Sequence, residues 1–145
     1  MRENGVEVLL VEDNPQDAEL TLRTLKQRRL ANSVHVVRDG EEALHFFFGA
    51  GVHAGRARDV PRVVLLDLKL PKIDGLEVLR RLKSEEETKT IPVVMLTSSR
   101  EERDVVESYN LGANSYIVKP VDFDTFAEAV AEVGLYWLLL NERPR

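Results

Sequence analysis

Acidic side chains stand directly after two short apolar runs of this chain. Glu12 and Asp13 follow the run at 6–11, and Asp67 follows the run at 63–66. If both runs are parallel strands, their carboxyl ends lie at one edge of the sheet and the three carboxylates cluster there. Like charges at short range must bind a cation or take up protons. Mg²⁺ would resolve the conflict, because it prefers oxygen ligands and usually needs only one or two carboxylates.

A hydroxyl and an ammonium are expected at the same edge. Thr97 follows the apolar run at 93–96, and Lys119 follows a weaker run at 116–118. The ammonium would offset the excess negative charge and could pair with a phosphoryl oxygen, to which the hydroxyl could also donate. A carboxylate nucleophile beside a cation and such donors is suited to phosphoryl transfer.

Each of these residues has a plainer explanation when it is taken alone. Glu12 and Asp13 could complement the dipole of the helix that follows them, and Thr97 could cap the next helix. One aspartate after an apolar strand is a weak signal in any α/β protein, and a lysine is often a surface residue. The coincidence of all of them at one predicted edge favours a functional site.

The elements that must position these residues alternate along the chain. The apolar runs, rich in Val and Leu, lie at 6–11, 34–37, 63–66, 93–96 and 116–118. Such runs are typical of strands buried on both faces, and helical patterns lie between them. Asn14 should cap the first helix, with Pro15 at its first position, and Asp39 should begin the second. The repeated βα order predicts a doubly wound parallel sheet with right-handed crossovers.

Composition narrows the class of protein. The 145 residues, 43% of them hydrophobic, are enough for one compact domain. A net charge of -5 argues against direct binding of nucleic acid, which needs a basic face. The chain has no cysteine, which excludes disulfides and thiolate chemistry. The polar start, which leads into a short run containing Glu7, predicts a cytoplasmic protein without membrane insertion.

Four longer motifs connect these residues. They read LLVEDNPQDAEL at 9–20, LLDLKLPKIDGLEVL at 65–79, VVMLTSS at 93–99 and GANSYIVKP at 112–120. Together they resemble the receiver domain of response regulators in two-component signalling, over about residues 6–138. The resemblance implies a flavodoxin-like (βα)5 fold with strand order 2-1-3-4-5. A Gly-, Ala- and Arg-rich loop at 49–61 and a Trp-bearing C-terminal extension are similar to stand-alone regulators that work with bacterial phytochromes or related sensor kinases.

The resemblance also assigns roles. It implies that Asp67 is the phosphoacceptor for a partner histidine kinase or phosphotransfer protein. Mg²⁺ is expected on Asp13, Asp67 and the backbone carbonyl of Lys69, with Glu12 acting through a metal-bound water. Such a chain is not an enzyme but a signalling phosphoacceptor that assists its own phosphorylation and dephosphorylation.

The switch is implied by the same resemblance. Thr97 and Lys119 bind the phosphoryl group, and Thr97 with Tyr116 repositions the face made by the fourth helix, fifth strand and fifth helix. Tyr116 could also be an ordinary half-buried strand aromatic. The output is then protein contact or phosphorelay. An alternative is an unphosphorylated scaffold with the same fold.

The last predicted helix suggests a partner surface. Its heptad-like spacing runs through Phe126, Val130, Val133, Trp137 and Leu140. Residues 135–140 are all apolar, more than one helical stripe can bury. We predict a homodimer through Tyr136, Trp137 and Leu138, unless Trp137 folds back onto the domain. The chain is expected to be one receiver domain over 1–145, with its core at about 6–138 and a short polar tail.

Two other classes share the predicted sheet. A haloacid-dehalogenase-like phosphatase also uses an aspartate after a strand, but it carries a second aspartate two residues later, where this chain has Lys69. A flavodoxin-like cofactor binder would need glycine or hydroxyl residues in the first βα turn to hold phosphate. The turn at 12–15 is acidic instead.

Overall fold

The computed structural model describes residues 7–27, 33–49, 60–102, 104, 112, 113 and 115–134. Strands and helices alternate within these ranges, as the apolar runs predicted. The elements are β1 (Val8–Val11), α1 (Pro15–Gln27), β2 (Val34–Val37), α2 (Gly40–Phe48), β3 (Val63–Asp67), α3 (Gly75–Ser84), β4 (Val93–Thr97), α4 (helical at 100–102 and 104), β5 (Ser115–Val118) and α5 (Phe123–Glu132).

The strands form one parallel five-stranded sheet in the order β2-β1-β3-β4-β5. This order confirms the predicted fold. Val11 at the end of β1 pairs with Leu66 of β3, and Thr97 at the end of β4 pairs with Val118 of β5. The strand ends are therefore nearly level, and the residues that follow them lie side by side. The order along the sheet reverses between β1 and β3, where doubly wound proteins place their ligand sites.

Two apolar clusters cover the two faces of the sheet. On one face, strand residues such as Leu9 and Leu66 pack with apolar residues of α2 and α3. On the other face, Leu10 and Leu65 pack with apolar residues of α1 and α5. Neighbouring residues of a strand point to opposite faces, so a strand covered on both sides must be apolar at every position. This double burial explains the unbroken Val and Leu runs.

Side-chain hydrogen bonds cap the N-termini of α1 and α2 at the residues that the sequence predicted. The Asn14 side chain accepts the backbone N–H groups of Gln16 and Asp17 at 2.9 and 3.0 Å. Asp39 accepts the N–H of Glu42 in the same way. Both caps are confirmed. They were readable from the sequence because each bond spans only two or three residues.

Two strands continue one residue past their predicted ends, and their last residues are Asp67 and Thr97. The backbone hydrogen bonding continues past the apolar runs. The N–H of Leu68 donates to the carbonyl of Leu96, and that of Lys119 donates to the carbonyl of Thr97, at 2.9 and 2.8 Å. These bonds hold the backbone at both polar residues in the sheet.

The last helix is shorter than predicted. α5 ends at Glu132, Val133 is its C-cap, and Gly134 has a φ of 81°. The prediction of one continuous helix through Val133 is therefore wrong, because a residue with this φ cannot continue a right-handed helix. Tyr136, Trp137 and Leu138 lie outside the described residues. The homodimer and the full extent of the domain stay predictions.

The long connection after α2 is described only at its ends. Gly49 terminates α2 with a φ of 73°, and its N–H donates to the carbonyl of His45 at 3.0 Å. The surface loop predicted at 49–61 otherwise falls on residues 50–59, outside the described ranges. None of the helices in the described part of the chain has the length and hydrophobicity that a membrane span requires.

Candidate functional site

Three acidic side chains meet at the carboxyl edge of the sheet, between β1 and β3. Carboxylate oxygens of Glu12, Asp13 and Asp67 all lie within 4.8 Å of one another. Glu12 and Asp67 are buried, with 1% and 5% of their surface exposed, whereas Asp13 is exposed. The cluster predicted from the strand ends is confirmed as an arrangement of side chains. It is open to solvent on the Asp13 side, where a cation could enter.

The ammonium of Lys119 reaches into this cluster from the end of β5. Its Nζ donates to Glu12 Oε1 at 3.1 Å, to Asp17 Oδ2 at 3.0 Å and to Asp67 Oδ2 at 3.4 Å. A lysine ammonium has three protons, so these three acceptors use all of them. The peptide bond between Lys119 and Pro120, whose isomer the sequence left open, is cis.

Burial and charge shift the ionisation of both partners. The pKa of Glu12 rises from 4.5 to about 7, first because the carboxyl is buried and then because it faces Asp67; Lys119 opposes the rise. Burial alone would lower the pKa of Lys119. The hydrogen bond to Asp17 and the charges of Asp67 and Glu12 outweigh burial, so this pKa lies above its usual range. Lys119 is therefore a permanent positive charge at neutral pH.

The residues present fit a hard divalent cation. Their donor set consists of carboxylate oxygens, which Mg²⁺ and Mn²⁺ both accept. Burial is the main cause of the raised pKa of Glu12, and repulsion from the neighbouring carboxylate of Asp67 adds to it despite the charge of Lys119. A cation between them would relieve that repulsion.

The two residues predicted to form the switch lie on adjacent strands. Thr97 is fully buried, and its hydroxyl is 3.5 Å from the carbonyl oxygen of Ile117, at the limit of a hydrogen bond. Tyr116 pairs with Met95, two residues before Thr97, so the side chains of Thr97 and Tyr116 leave the sheet on the same face. Tyr116 is half-buried and packs against the apolar cluster on that face.

The side chain of Lys69 turns away from the acidic cluster. Its Nζ lies 3.0 Å from Glu102 Oε2 at the start of α4. Glu102 also accepts the backbone N–H of Ser98 at 2.8 Å, and this hydrogen bond is the main reason why its pKa is lowered. Glu102 therefore links the segment after Asp67, through Lys69, to the segment after Thr97, through Ser98. The predicted role of the Lys69 carbonyl as a metal ligand stays a prediction.

Asp17 and Glu102 are contacts of the site that the sequence analysis missed. Asp17 lies one helical turn after Asp13, so its position on the first turn of α1 was a usable signal. Ser99 and Glu102 have the capping-box spacing, and the N–H of Glu102 donates to Ser99 Oγ at 3.2 Å. That spacing predicts the start of α4 but not the ion pair with Lys69.

Glu12→Gln should stabilise the metal-free protein. The substitution removes a buried carboxylate whose pKa is about 7 in the folded state. An acid with a raised pKa costs folding free energy in its ionised form, and this cost is fully present above the folded pKa. We expect the free energy of unfolding at pH 8 without Mg²⁺ to increase by on the order of 1 kcal/mol, and Mg²⁺ to stabilise the variant less than the wild type.

Urea unfolding with and without Mg²⁺ measures both effects. Glu19→Gln is the matched control, because Glu19 is exposed on α1 and forms an ion pair with Arg23 at 3.3 Å, away from the cluster. It should change neither quantity. An unchanged or lower stability of Glu12→Gln at pH 8 would show that the buried, ionised carboxylate of Glu12 does not cost significant folding free energy.

Known proteins resemble this chain in both sequence and structure. The sequence profile of the response regulator receiver domain matches residues 8–131. The structure of the bacteriophytochrome response regulator AtBRR is similar, with 55% sequence identity, a TM-score of 0.88, and coverage of 95% of this chain and 99% of AtBRR.

Two cyanobacterial regulators are also similar. Response regulator Rcp1 of Synechocystis sp. is 38% identical over 131 residues, which cover 90% of this chain and 88% of Rcp1. The Mn(2+)-bound form of Rcp1 has a TM-score of 0.72, at 35% identity and coverage of 97% and 99%. The phosphorylated cyanobacterial phytochrome response regulator RcpA has a TM-score of 0.74, at 38% identity and the same coverage.

Proposed function

The chain belongs to the response regulator receiver domain family, and we propose that Asp67 accepts a phosphoryl group from a partner histidine kinase. The main support for this proposal is the contact of Asp67 with the Lys119 ammonium inside the acidic cluster. Asp67 is buried, lies 3.4 Å from that ammonium, and has carboxylate oxygens of Glu12 and Asp13 close by. This set combines a nucleophile, a permanent positive charge and a place for a cation.

The transfer is a substitution at phosphorus. An oxygen of Asp67 forms a bond to the phosphorus of a phosphohistidine, and the phosphorus–nitrogen bond of the donor breaks. The electron pair of that bond stays with the leaving imidazole, which is a neutral leaving group once its second nitrogen is protonated. Lys119 offsets charge on the phosphoryl oxygens, and the Thr97 hydroxyl can donate to one of them. Hydrolysis of the resulting acyl phosphate returns Asp67 to its starting state.

Mg²⁺ is the proposed cofactor. Asp13, Asp67 and the backbone carbonyl of Lys69 would hold it, with Glu12 acting through water. Bound there, it would neutralise part of the charge that builds up on the transferring phosphoryl group. The relative Rcp1 has been solved in a Mn(2+)-bound form, which supports a divalent cation as the cofactor.

The same proposal includes a switch of the face formed by α4, β5 and α5. The long hydrogen bond of the Thr97 hydroxyl to Ile117 is weak and easily exchanged for a phosphoryl oxygen. A shift of Thr97 would change the space on the face of the sheet where Tyr116 packs. Tyr116 would then turn inward and alter the surface offered to partners.

The relatives suggest the class of partner. AtBRR and RcpA are both described as phytochrome response regulators. We propose that a sensor kinase of the bacterial phytochrome type, or a phosphotransfer protein, phosphorylates this chain. The output would then be protein contact or phosphorelay. The stand-alone arrangement, the homodimer and the cytoplasmic location remain predictions.

Incubation with acetyl phosphate tests the proposal. Intact mass should show one phosphoryl adduct that requires Mg²⁺, and calorimetry should show that Mg²⁺ binds before the donor is added. Absence of the adduct together with undetectable Mg²⁺ binding would favour the unphosphorylated scaffold. If Mg²⁺ binds but acetyl phosphate does not react, a phosphorylated histidine kinase is the decisive donor, and failure with it would reject the phosphoacceptor role.

A further inference from the structure

Helix α1 is attached to the segment that carries Lys119 at two points. Asp17 accepts a hydrogen bond from the Lys119 ammonium at 3.0 Å. The hydroxyl of Thr24 donates to the backbone carbonyl of Val121 at 3.0 Å. Asp17 and Thr24 are seven residues apart and therefore lie on the same face of the helix. α1 thus holds both the backbone after β5 and the charged end of Lys119.

The three acceptors of the ammonium are not equivalent. The contact with Asp17 is the shortest and the contact with Asp67 is the longest, at 3.0 and 3.4 Å. All three protons of the ammonium are used in this arrangement. When Asp67 is phosphorylated, its carboxylate charge is lost and its hydrogen bond from Lys119 can pass to a phosphoryl oxygen. The ammonium can move further onto the phosphoryl group only if Glu12 or Asp17 also gives up its bond.

Asp17 is the acceptor that can give up its bond most easily. Its side chain is 36% exposed, whereas those of Glu12 and Asp67 are 0% and 8% exposed. Water can replace the ammonium at the exposed carboxylate of Asp17, but the buried carboxylate of Glu12 would be left without this partner. The contact with Asp17 should therefore be the one that breaks when the phosphoryl group competes for Lys119.

We propose that Asp17 is a positioning residue that holds the Lys119 ammonium toward α1 in the unphosphorylated state and so opposes its transfer to the phosphoryl group. This inference rests on the proposed function, because it concerns the same Lys119 and the same phosphoryl group on Asp67. Asp17 does not touch the phosphoryl group in this proposal. It acts only through Lys119 and sets how readily the phosphorylated state forms.

Asp17→Asn tests the proposal, with beryllofluoride and Mg²⁺ as the probe for the phosphorylated aspartate. The Kd of beryllofluoride is measured by ¹⁹F NMR on the whole chain, at a Mg²⁺ concentration that saturates each variant. We expect Asp17→Asn to bind the probe about threefold more tightly, which corresponds to the loss of one partly exposed ion pair. The acyl phosphate formed from acetyl phosphate should also live longer.

Two further variants separate positioning from other effects. Glu19→Gln makes the same charge change on an exposed part of α1, and its Kd should equal that of the wild type. Asp17→Glu restores a carboxylate that can reach Lys119, and it should return the Kd toward the wild-type value. A residue that only supports the structure would not produce tighter binding that the conservative variant reverses.

The outcomes distinguish the two proposals. If the wild type binds no beryllofluoride and forms no adduct with acetyl phosphate or with a phosphorylated histidine kinase, the proposed function fails. If the wild type binds the probe but Asp17→Asn binds it equally or more weakly, the function stands and the positioning role of Asp17 is wrong. Equal tightening in Glu19→Gln would also overturn the role, because the effect would then come from net charge.

Discussion

Asp67→Asn is expected to abolish the phosphoryl adduct, with a loss of at least roughly a hundredfold in rate. The amide has almost the same shape as the carboxylate, but it is a poor nucleophile and lacks the negative charge. Because Asp67 is buried between Glu12 and Lys119, the substitution also removes one of the charges that raise the pKa of Glu12. The variant should therefore fold like the wild type and lose only the ability to accept a phosphoryl group. Intact mass after treatment with acetyl phosphate and Mg²⁺ measures the adduct.

Asp74→Asn is the matched control. Asp74 lies in the connection that follows Asp67 and caps α3 by accepting the N–H of Glu77 at 3.0 Å. Asparagine caps helices about as well as aspartate, and Asp74 is exposed rather than buried in the cluster. This variant should form the adduct at the wild-type rate. An adduct that persists in Asp67→Asn would assign the phosphoryl group to another side chain, and the proposed function would have to be withdrawn.

Gly75→Ala is expected to destabilise the fold strongly. A Cβ atom at this first residue of α3 would lie 2.2 Å from the carbonyl oxygen of Asp67 and 2.7 Å from that of Leu68. Both atoms belong to the backbone and cannot rotate away. The N–H of Gly75 also donates to the Leu68 carbonyl at 2.9 Å, which keeps the two segments together. We expect a loss of roughly 3 kcal/mol or more in the free energy of unfolding.

The same substitution should disturb function, since the displaced backbone belongs to the phosphoacceptor. Under conditions where Gly75→Ala remains folded, the rate of phosphorylation by acetyl phosphate should fall at least about tenfold. Urea unfolding and intact mass on the same preparation measure the two effects separately. A folded variant that reacts at the wild-type rate would show that the position of Asp67 tolerates this displacement.

Gly134→Ala is the control for the close approach of Gly75 to the backbone of Asp67 and Leu68. Gly134 has a φ of 81°, and among the described residues no atom lies within 4 Å of a Cβ added there. Alanine at that position has only the cost of the left-handed conformation, about 1 kcal/mol. Gly75 is not among the glycines with positive φ in the described residues. If both variants lose the same stability, the backbone at Gly75 must relax and the close approach is less restrictive than the distances indicate.

Much of the fold could be predicted because it depends on local rules. Strands buried on both faces had to be apolar at every position, as in 63–66. Asn14 and Asp39 cap their helices through bonds that span two or three residues. The alternation of strands and helices then placed Glu12, Asp67, Thr97 and Lys119 at one edge, because parallel strands share the direction of their ends. The helix predicted through Val133 failed, because apolar spacing alone does not show where a glycine ends a helix.

The sequence by itself determined which residues meet at the edge of the sheet and what chemistry their types allow. Only the tertiary structure decided how they share their contacts. Lys119 bonds to Asp17, 102 residues earlier, and Lys69 pairs with Glu102 rather than with the acidic cluster. The sequence also did not predict the burial that raises the pKa of Glu12 or the close approach of Gly75 to Asp67. All of these depend on distances set by the packing of helices against the sheet, and neither residue type nor local periodicity encodes those distances.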